Sequence, residues 1–190
     1  MVYKKMNAEL SKSLNAIGLK AKNASAILNT ATSAQKNKFF DLAIAAIQEN
    51  AEEILAANQI DIKAAKDNGK DDAFIDRLAL DKSRLQGICN TLIEIKSFED
   101  PVGRELASWQ RPNGLNISRV ATPLGVIGLI FESRPNVAAD AGGLCLKSGN
   151  AVILRSGKDG LRSASAIVSS LQNALTVSYT HLTLPTTPYV

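Results

Sequence analysis

The sequence predicts an α/β fold in which a long helical region precedes the opening strand–helix–strand–helix unit of a parallel sheet. Three observations carry this expectation. Up to about residue 100 the apolar residues recur at steps of three and four, as amphipathic helices require. Beyond Pro101, two short and almost wholly apolar runs, 126–131 and 151–155, read as strands buried on both faces of a parallel sheet. Short polar turns join these runs to helical stretches in alternation, the pattern of a βαβ unit. Composition agrees. A chain of 190 residues with 45% hydrophobic and 21% charged residues fits a globular protein of one domain or slightly more, and excludes collagen-like, disordered and disulfide-scaffold classes.

Taken in order, residues 6–30 carry the apolar stripe Leu10, Leu14, Ile17, Ile27 and Leu28, with a soft point at Gly18. Thr32 and Gln35 have capping-box spacing and open the next helix. Phe40, Ile44, Ile47, Ala51, Ile54 and Leu55 continue it, as one helix or a pair, to a natural stop at Gly69. Asp81 starts another helix, with Leu85, Ile88, Cys89, Leu92 and Ile95 inward, ending before Asp100-Pro101. Residues 1–110 are therefore assigned to a helical region that carries nothing catalytic. Arg111-Pro112-Asn113-Gly114 is a turn signal, and 115–120 alternates like a half-buried strand. The first apolar strand, 126–131, ends in the polar loop Glu132-Ser133-Arg134-Pro135-Asn136, followed by a helix over 137–147. Ser148-Gly149-Asn150 turns the chain into the second strand; the loop 156–160 and a helix over 161–175 follow. Residues 177–190 contain no Asp, Glu, Lys or Arg and have no helical period, and read as a foreign tail, a translated adaptor or frameshifted sequence.

Ligands of open parallel sheets bind outside the carboxyl ends of the strands, so the loops 132–136 and 156–160 are the candidate site. Glu132 to Asn136 gathers a carboxylate, a hydroxyl, a guanidinium and an amide; the other reading is a turn with a helix cap. Arg155 followed by a Gly-containing turn and a helix start offers a guanidinium and backbone N–H groups to an anion, against an ordinary solvated turn. No full dinucleotide fingerprint or P-loop is present, because Asp159 replaces the Ser/Thr and Val152 the first Gly. Cys89 and Cys145 lie in apolar helical stretches without an activating base, and His181 falls in the doubtful tail, so no Cys-His, Ser-His-Asp or metal cluster assembles. The net charge of +4 suits a phosphorylated ligand or nucleic acid. The basic stretch 20–38, however, has no aromatic interleaving and reads as a solvated helix face. With two Cys, no apolar h-region and no run near the roughly 20 residues that span a bilayer, a cytoplasmic protein without membrane attachment is expected.

The runs Arg111–Leu115, Arg119–Gly128, Phe131–Val137 and Cys145–Arg155, with Arg77-Leu78-Ala79-Leu80 and Asp100-Pro101-Val102-Gly103, resemble gamma-glutamyl phosphate reductases over about residues 8–176. This family lies within the aldehyde dehydrogenase superfamily. The resemblance implies an aldehyde dehydrogenase-like fold: N-terminal helices to 110, the first arm of an oligomerisation hairpin over 111–120, and the start of a Rossmann-like NADP-binding domain over 121–176. It implies NADPH-dependent reduction of L-glutamate 5-phosphate to L-glutamate 5-semialdehyde and phosphate in proline synthesis, through a thioacyl enzyme that accepts hydride. Ser133, Arg134, Pro135, Asn136, Arg155, Ser156 and Gly157 are implied to bind the cofactor. Arg155 is placed near the adenine ribose, and Asn136 resembles an amide that assists the oxyanion hole. A homo-oligomer and functional coupling to glutamate 5-kinase are implied as well. Family members are longer and carry the catalytic Cys downstream, so the chain is expected to be an inactive N-terminal fragment. A non-catalytic nucleotide- or phosphate-binding α/β module and a basic helical nucleic-acid binder remain as alternatives.

Overall fold

Thr32 opens the second helix as the spacing predicts. Its hydroxyl accepts the Gln35 N–H at 3.2 Å, and the Gln35 side chain accepts the Thr32 N–H at 2.9 Å. In the computed structural model, which describes residues 2–179, the elements run α1 (Val2–Leu28), α2 (Ser33–Glu49), α3 (Ala51–Asp67), α4 (Asp72–Leu78), α5 (Lys82–Ser97), β1 (Glu105–Gln110), β2 (Asn116–Val120), β3 (Val126–Phe131), α6 (Val137–Lys147), β4 (Ala151–Ser156) and α7 (Leu161–Tyr179). A 3-10 turn at Lys158–Gly160 precedes α7. The 33–67 segment is a pair of helices broken at Asn50. The core is largely aliphatic and continuous: Phe39, Phe40 and Ile47 of α2 meet Leu92 of α5, Leu146 of α6, and Ile167 and Leu171 of α7. No described helix is long and apolar enough to cross a membrane.

Two buried polar networks lock the helices and their connecting loops together. Lys36 is fully buried on α2; its ammonium donates to both Asp100 carboxylate oxygens at 2.9 Å and to the Lys147 carbonyl at 3.2 Å. Lys147 in turn donates to the Lys96 carbonyl at 2.8 Å and to Asn37 at 3.2 Å. The loop before the hairpin, α2, α5 and the end of α6 are thus tied at one point. On α3, the Asn58 side chain accepts the Leu80 N–H at 2.7 Å and donates to the Leu78 carbonyl at 2.8 Å, which holds the α4–α5 turn. Asp61, one turn on, accepts the Ser163 N–H at 2.8 Å and caps α7 from outside the helix.

The chain then differs from the sequence expectation in four places. Residues 105–110, expected to belong to the helical region, form β1 and pair antiparallel with β2 from Gln110↔Asn116 outward. Five of its six residues are exposed, so no alternation marks it. Helix α4 is new as well; at seven residues it is too short to show a period, although Asp71 caps it through the Phe74 N–H at 2.6 Å. Strands β3 and β4 pair in parallel, Val126↔Ala151 to Phe131↔Ser156. Yet β3 is not buried on both faces: Ile127, Leu129 and Phe131 pack on the core, while Ile130 is 82% exposed because nothing among the described residues covers that face. Finally, α7 continues through Val177, Ser178 and Tyr179, which the sequence reading assigned to the tail; the Ser178 hydroxyl donates to the Ala174 carbonyl at 2.8 Å. Residues 180–190, His181 included, lie outside the described residues.

Candidate functional site

The parallel pairing of β3 and β4 puts the two polar loops side by side at the carboxyl ends of the strands. The Gly157 N–H donates to the Phe131 carbonyl at 2.8 Å. A Cβ on Gly157 would lie 3.1 Å from Glu132 Cγ, so the two loops approach closely and a larger residue there would push the Glu132 side chain aside. The turn leading into β4 is fixed with the same economy. Gly149 has φ +75, a Cβ there would stand 2.8 Å from Pro123 Cγ, and the Asn150 side chain accepts the Gly125 N–H at 2.9 Å. Most of the run 147–154 is thus spent on fold: Lys147 on its buried network, Gly149 on the turn, Asn150 on the strand start.

At the end of β4, Arg155 is half-buried, and its guanidinium donates to the Ser156 carbonyl. The Ser156 hydroxyl is buried and turned inward, donating to the Gly157 carbonyl at 2.7 Å. The helix start that follows offers less to an external anion than the sequence suggested, because the Asp61 carboxylate already takes the Ser163 N–H.

At the end of β3, Ser133 is the only non-glycine residue among those described with positive φ, +48, a conformation that costs an L-residue about 1–2 kcal/mol. Pro135 is buried behind it. Asn136 stands at the start of α6 but does not cap it; its amide donates instead to Asp140 Oδ2 at 2.8 Å. The cap reading of this loop is therefore set aside. Asp140 Oδ1 is buried and has no hydrogen-bond partner among the described residues. Burial pushes the Asp140 carboxyl above the usual carboxylate range, and the Asn136 hydrogen bond offsets only part of that rise.

Arg134, Asn136 and Asp140 line a cavity of about 450 Å³, closed on the other side by the α4–α5 turn and the first half of α5. The seven residues expected to act together thus divide. Arg134 and Asn136 face this cavity, Ser133 and Pro135 shape the loop, and Arg155, Ser156 and Gly157 lie at the end of β4 outside the cavity lining. Sequence reasoning missed Asp140 and Arg77. The signal for Asp140 was present: it is the sole charge in an otherwise apolar first turn, four residues after Asn136 and so on the same face.

Both cysteines sit in the core, 1% and 7% exposed, and burial pushes both thiols up, opposite to what an activated thiolate needs. Among the described residues no three His, Cys, Asp or Glu side chains gather as a metal site would. The basic stretch 20–38 includes Lys36, which is consumed internally by Asp100, so its surface charge is smaller than it reads.

No family model matches the chain. It is 50% identical over 170 residues to the gamma-glutamyl phosphate reductase of Brucella suis biovar 1, an alignment covering 90% of this chain and 40% of that protein. The crystal structure of gamma-glutamyl phosphate reductase from Thermotoga maritima superposes with a TM-score of 0.85 at 40% identity, over 87% of this chain and 40% of that one. An acetylating aldehyde dehydrogenase from Geobacillus thermoglucosidasius shares the fold with a TM-score of 0.68 at 14% identity, over 94% of this chain and 37% of that one. The fold is aldehyde dehydrogenase-like, and the chain spans about 40% of the length of the curated relatives it matches.

Proposed function

We propose that this chain forms the N-terminal part of a gamma-glutamyl phosphate reductase, which reduces L-glutamate 5-phosphate to L-glutamate 5-semialdehyde with release of phosphate. The observation that carries the reading is 50% identity over 170 residues, with the matched segments spanning both loops at the strand ends. The nucleophilic thiolate of such a reaction belongs, on this reading, to the part of the relatives that the chain does not span, because Cys89 and Cys145 are core residues. The 190 residues are therefore expected to be inactive alone.

The residues fit a nicotinamide dinucleotide in donor chemistry. Arg155 supplies a guanidinium at the carboxyl end of a parallel strand, and the glycine turn beside it keeps the backbone open to close approach. NADPH, when bound, would supply the hydride. Arg155 would then hold the adenosine end through a 2′-phosphate, with the 156–157 turn as its floor. Ser133, Arg134 and Pro135 would shape the wall toward the reacting end, and Asn136 would direct its second amide hydrogen at the developing oxyanion.

The hairpin supports a homo-oligomer. Leu106, Trp109 and Val120 are all about half exposed on a two-stranded ribbon that has no layer against it among the described residues, and such ribbons are marginal unless covered. A cytoplasmic location and coupling to glutamate 5-kinase, the source of a labile acyl phosphate, belong to the same reading. The test uses a complete reductase carrying this N-terminal sequence, with Arg155→Ala. NADPH affinity should fall by roughly 10- to 100-fold, the worth of a lost charge-assisted contact, and NADH affinity much less, with turnover at saturation retained. Equal losses for both cofactors would remove the 2′-phosphate role, and absence of semialdehyde-dependent NADP reduction in the parent would remove the reductase reading.

A further inference from the structure

The loop 156–160 is held at its two ends by different parts of the molecule. Its near end is tied to the sheet, where the Gly157 N–H donates to the Phe131 carbonyl at 2.8 Å. Its far end rests on the segment from α3 to α4. Asp61 Oδ2, on α3, accepts both the N–H and the hydroxyl of Ser163, at 2.8 and 2.7 Å. The Asn58 amide donates to the same hydroxyl oxygen at 3.0 Å. The orientation of that amide is fixed, because its oxygen accepts the Leu80 N–H while its nitrogen also serves the Leu78 carbonyl. Asn58, Asp61 and Ser163 are each at most 1% exposed, so water does not compete for these bonds. Nearer the surface, the Lys70 ammonium pairs with Asp159 Oδ2 at 3.3 Å. Gly160 lies close against α4, where a Cβ would stand 3.1 Å from Leu78 Cδ1.

We propose that Ser163 and Lys70 are positioning residues for the cofactor: they seat the far end of the 156–160 loop on α3 and the α3–α4 turn, and so set the approach of Arg155 and Gly157 to the dinucleotide. The proposal rests on the cofactor reading given above and deepens it. Capping α7 needs only the Ser163 N–H on Asp61. The hydroxyl does something else, bridging Asp61 to Asn58, so that the start of α7 moves together with the turn at 78–80. Between Arg155 and Ser163 the chain makes one tight 3-10 turn, Lys158–Gly160, which passes a displacement of the helix start back to the strand end. Lys70 acts on the same turn through Asp159.

The experiment uses a complete reductase carrying this N-terminal sequence. It follows semialdehyde-dependent NADP reduction in the parent, in Ser163→Ala, Lys70→Met and Arg155→Ala, and in Ser163→Ala combined with Arg155→Ala. Ser163→Ala should raise the KM for NADP by roughly 3- to 10-fold, the range of one lost hydrogen bond, with a smaller change in turnover at saturating NADP. Lys70→Met removes a partly exposed pair and leaves the buried core intact; it should raise the same KM by roughly 2- to 4-fold. Added to Arg155→Ala, Ser163→Ala should cost a smaller factor than it does alone, because it acts through that guanidinium. A purely structural Ser163 would lower melting temperature and turnover together while the KM for NADP stays at the parent value, and that result would overturn the proposal. So would equal factors with and without Arg155→Ala. Should Ser163→Ala not fold, Lys70→Met decides: an unchanged KM for NADP overturns the proposal and a raised one upholds it. An effect of Arg155→Ala with none from Ser163→Ala or Lys70→Met would leave the cofactor reading standing without the positioning role, whereas no effect of Arg155→Ala would remove both.

Discussion

Replacing Asp100 by Asn should cost the protein a large part of its stability, and the reason lies in Lys36. The Lys36 side chain is fully buried and the Asp100 side chain is 15% exposed, so the pair is nearly out of water. Removing one charge leaves an ammonium in the core with only the Lys147 carbonyl and a neutral amide oxygen as acceptors. Breaking a buried pair this way costs about 3–5 kcal/mol, against about 5–15 kcal/mol for the total stability of an ordinary domain. For an m-value of about 2 kcal/mol/M, the urea midpoint should fall by roughly 1.5–2.5 M. Acid supplies an internal control. Burial alone would raise the Asp100 carboxyl, but hydrogen bonds from Lys36, the Val102 N–H and Ser33, with the Lys36 charge, outweigh it and hold the group below its ordinary range. A carboxylate depressed in the folded state contributes stability above its unfolded pKa of about 3.9 and loses it as pH falls through the folded value. The gap between parent and Asp100→Asn should therefore be full at pH 7 and narrow as the pH drops below about 4. Lys36→Met combined with Asp100→Asn should recover at least half of the loss, since no buried charge then remains. Urea unfolding followed by far-ultraviolet circular dichroism reads all three proteins. A loss under about 1 kcal/mol for the single variant at pH 7, in the range of a solvated pair, would refute the argument. So would a double variant no more stable than the single.

Two further substitutions probe the turns that fix the frame. Asn58→Ala should cost about 2–4 kcal/mol, because it leaves the Leu80 N–H and the Leu78 carbonyl buried without partners and frees the α4–α5 turn; thermal melting checks this, and a loss near zero would mean that water replaces the amide. Gly149→Ala should cost more than the roughly 1 kcal/mol of a positive-φ penalty alone, because the added Cβ also meets Pro123 Cγ at 2.8 Å, and an unchanged melting temperature would show that the 121–125 segment yields.

What could be read from the sequence depended on whether one residue's role was repeated along a pattern. Helices α2, α3 and α5 repeat their inward residues every three or four positions, and α2 and α5 begin with side-chain signals at Thr32 and Asp81, so in those two period and cap agree. The parallel pairing of β3 with β4 followed from two apolar runs joined by a helix, and that pairing alone placed both polar loops at one end of the sheet. Strand β1 had no such repetition, because Glu105 to Gln110 is solvated on both faces; for the same reason the extent of burial of β3 was overstated, since an apolar run reports the cover a strand can accept and not the cover present.

The cavity shows the sharper limit. Arg134 and Asn136 stood out because they sit in a polar cluster after a strand, yet what they face was set by Asn58, 20 residues before Leu78 in the chain and bonded to its carbonyl. In sequence Asp140 has the marks of an acidic residue near a helix start, on the same face as Asn136, where it complements the macrodipole. Its distinguishing property, a buried oxygen without a hydrogen-bond partner among the described residues, is set by tertiary packing, and no local pattern encodes that. A charge left uncompensated in the fold is visible only after every compensated one has been paired: Arg84 with Asp76, Lys36 with Asp100, Arg162 with Asp61. In the cavity lining the Arg84–Asp76 pair accounts for two of the five charged residues, and Arg77, Arg134 and Asp140 are the three without an ion-pair partner among the described residues.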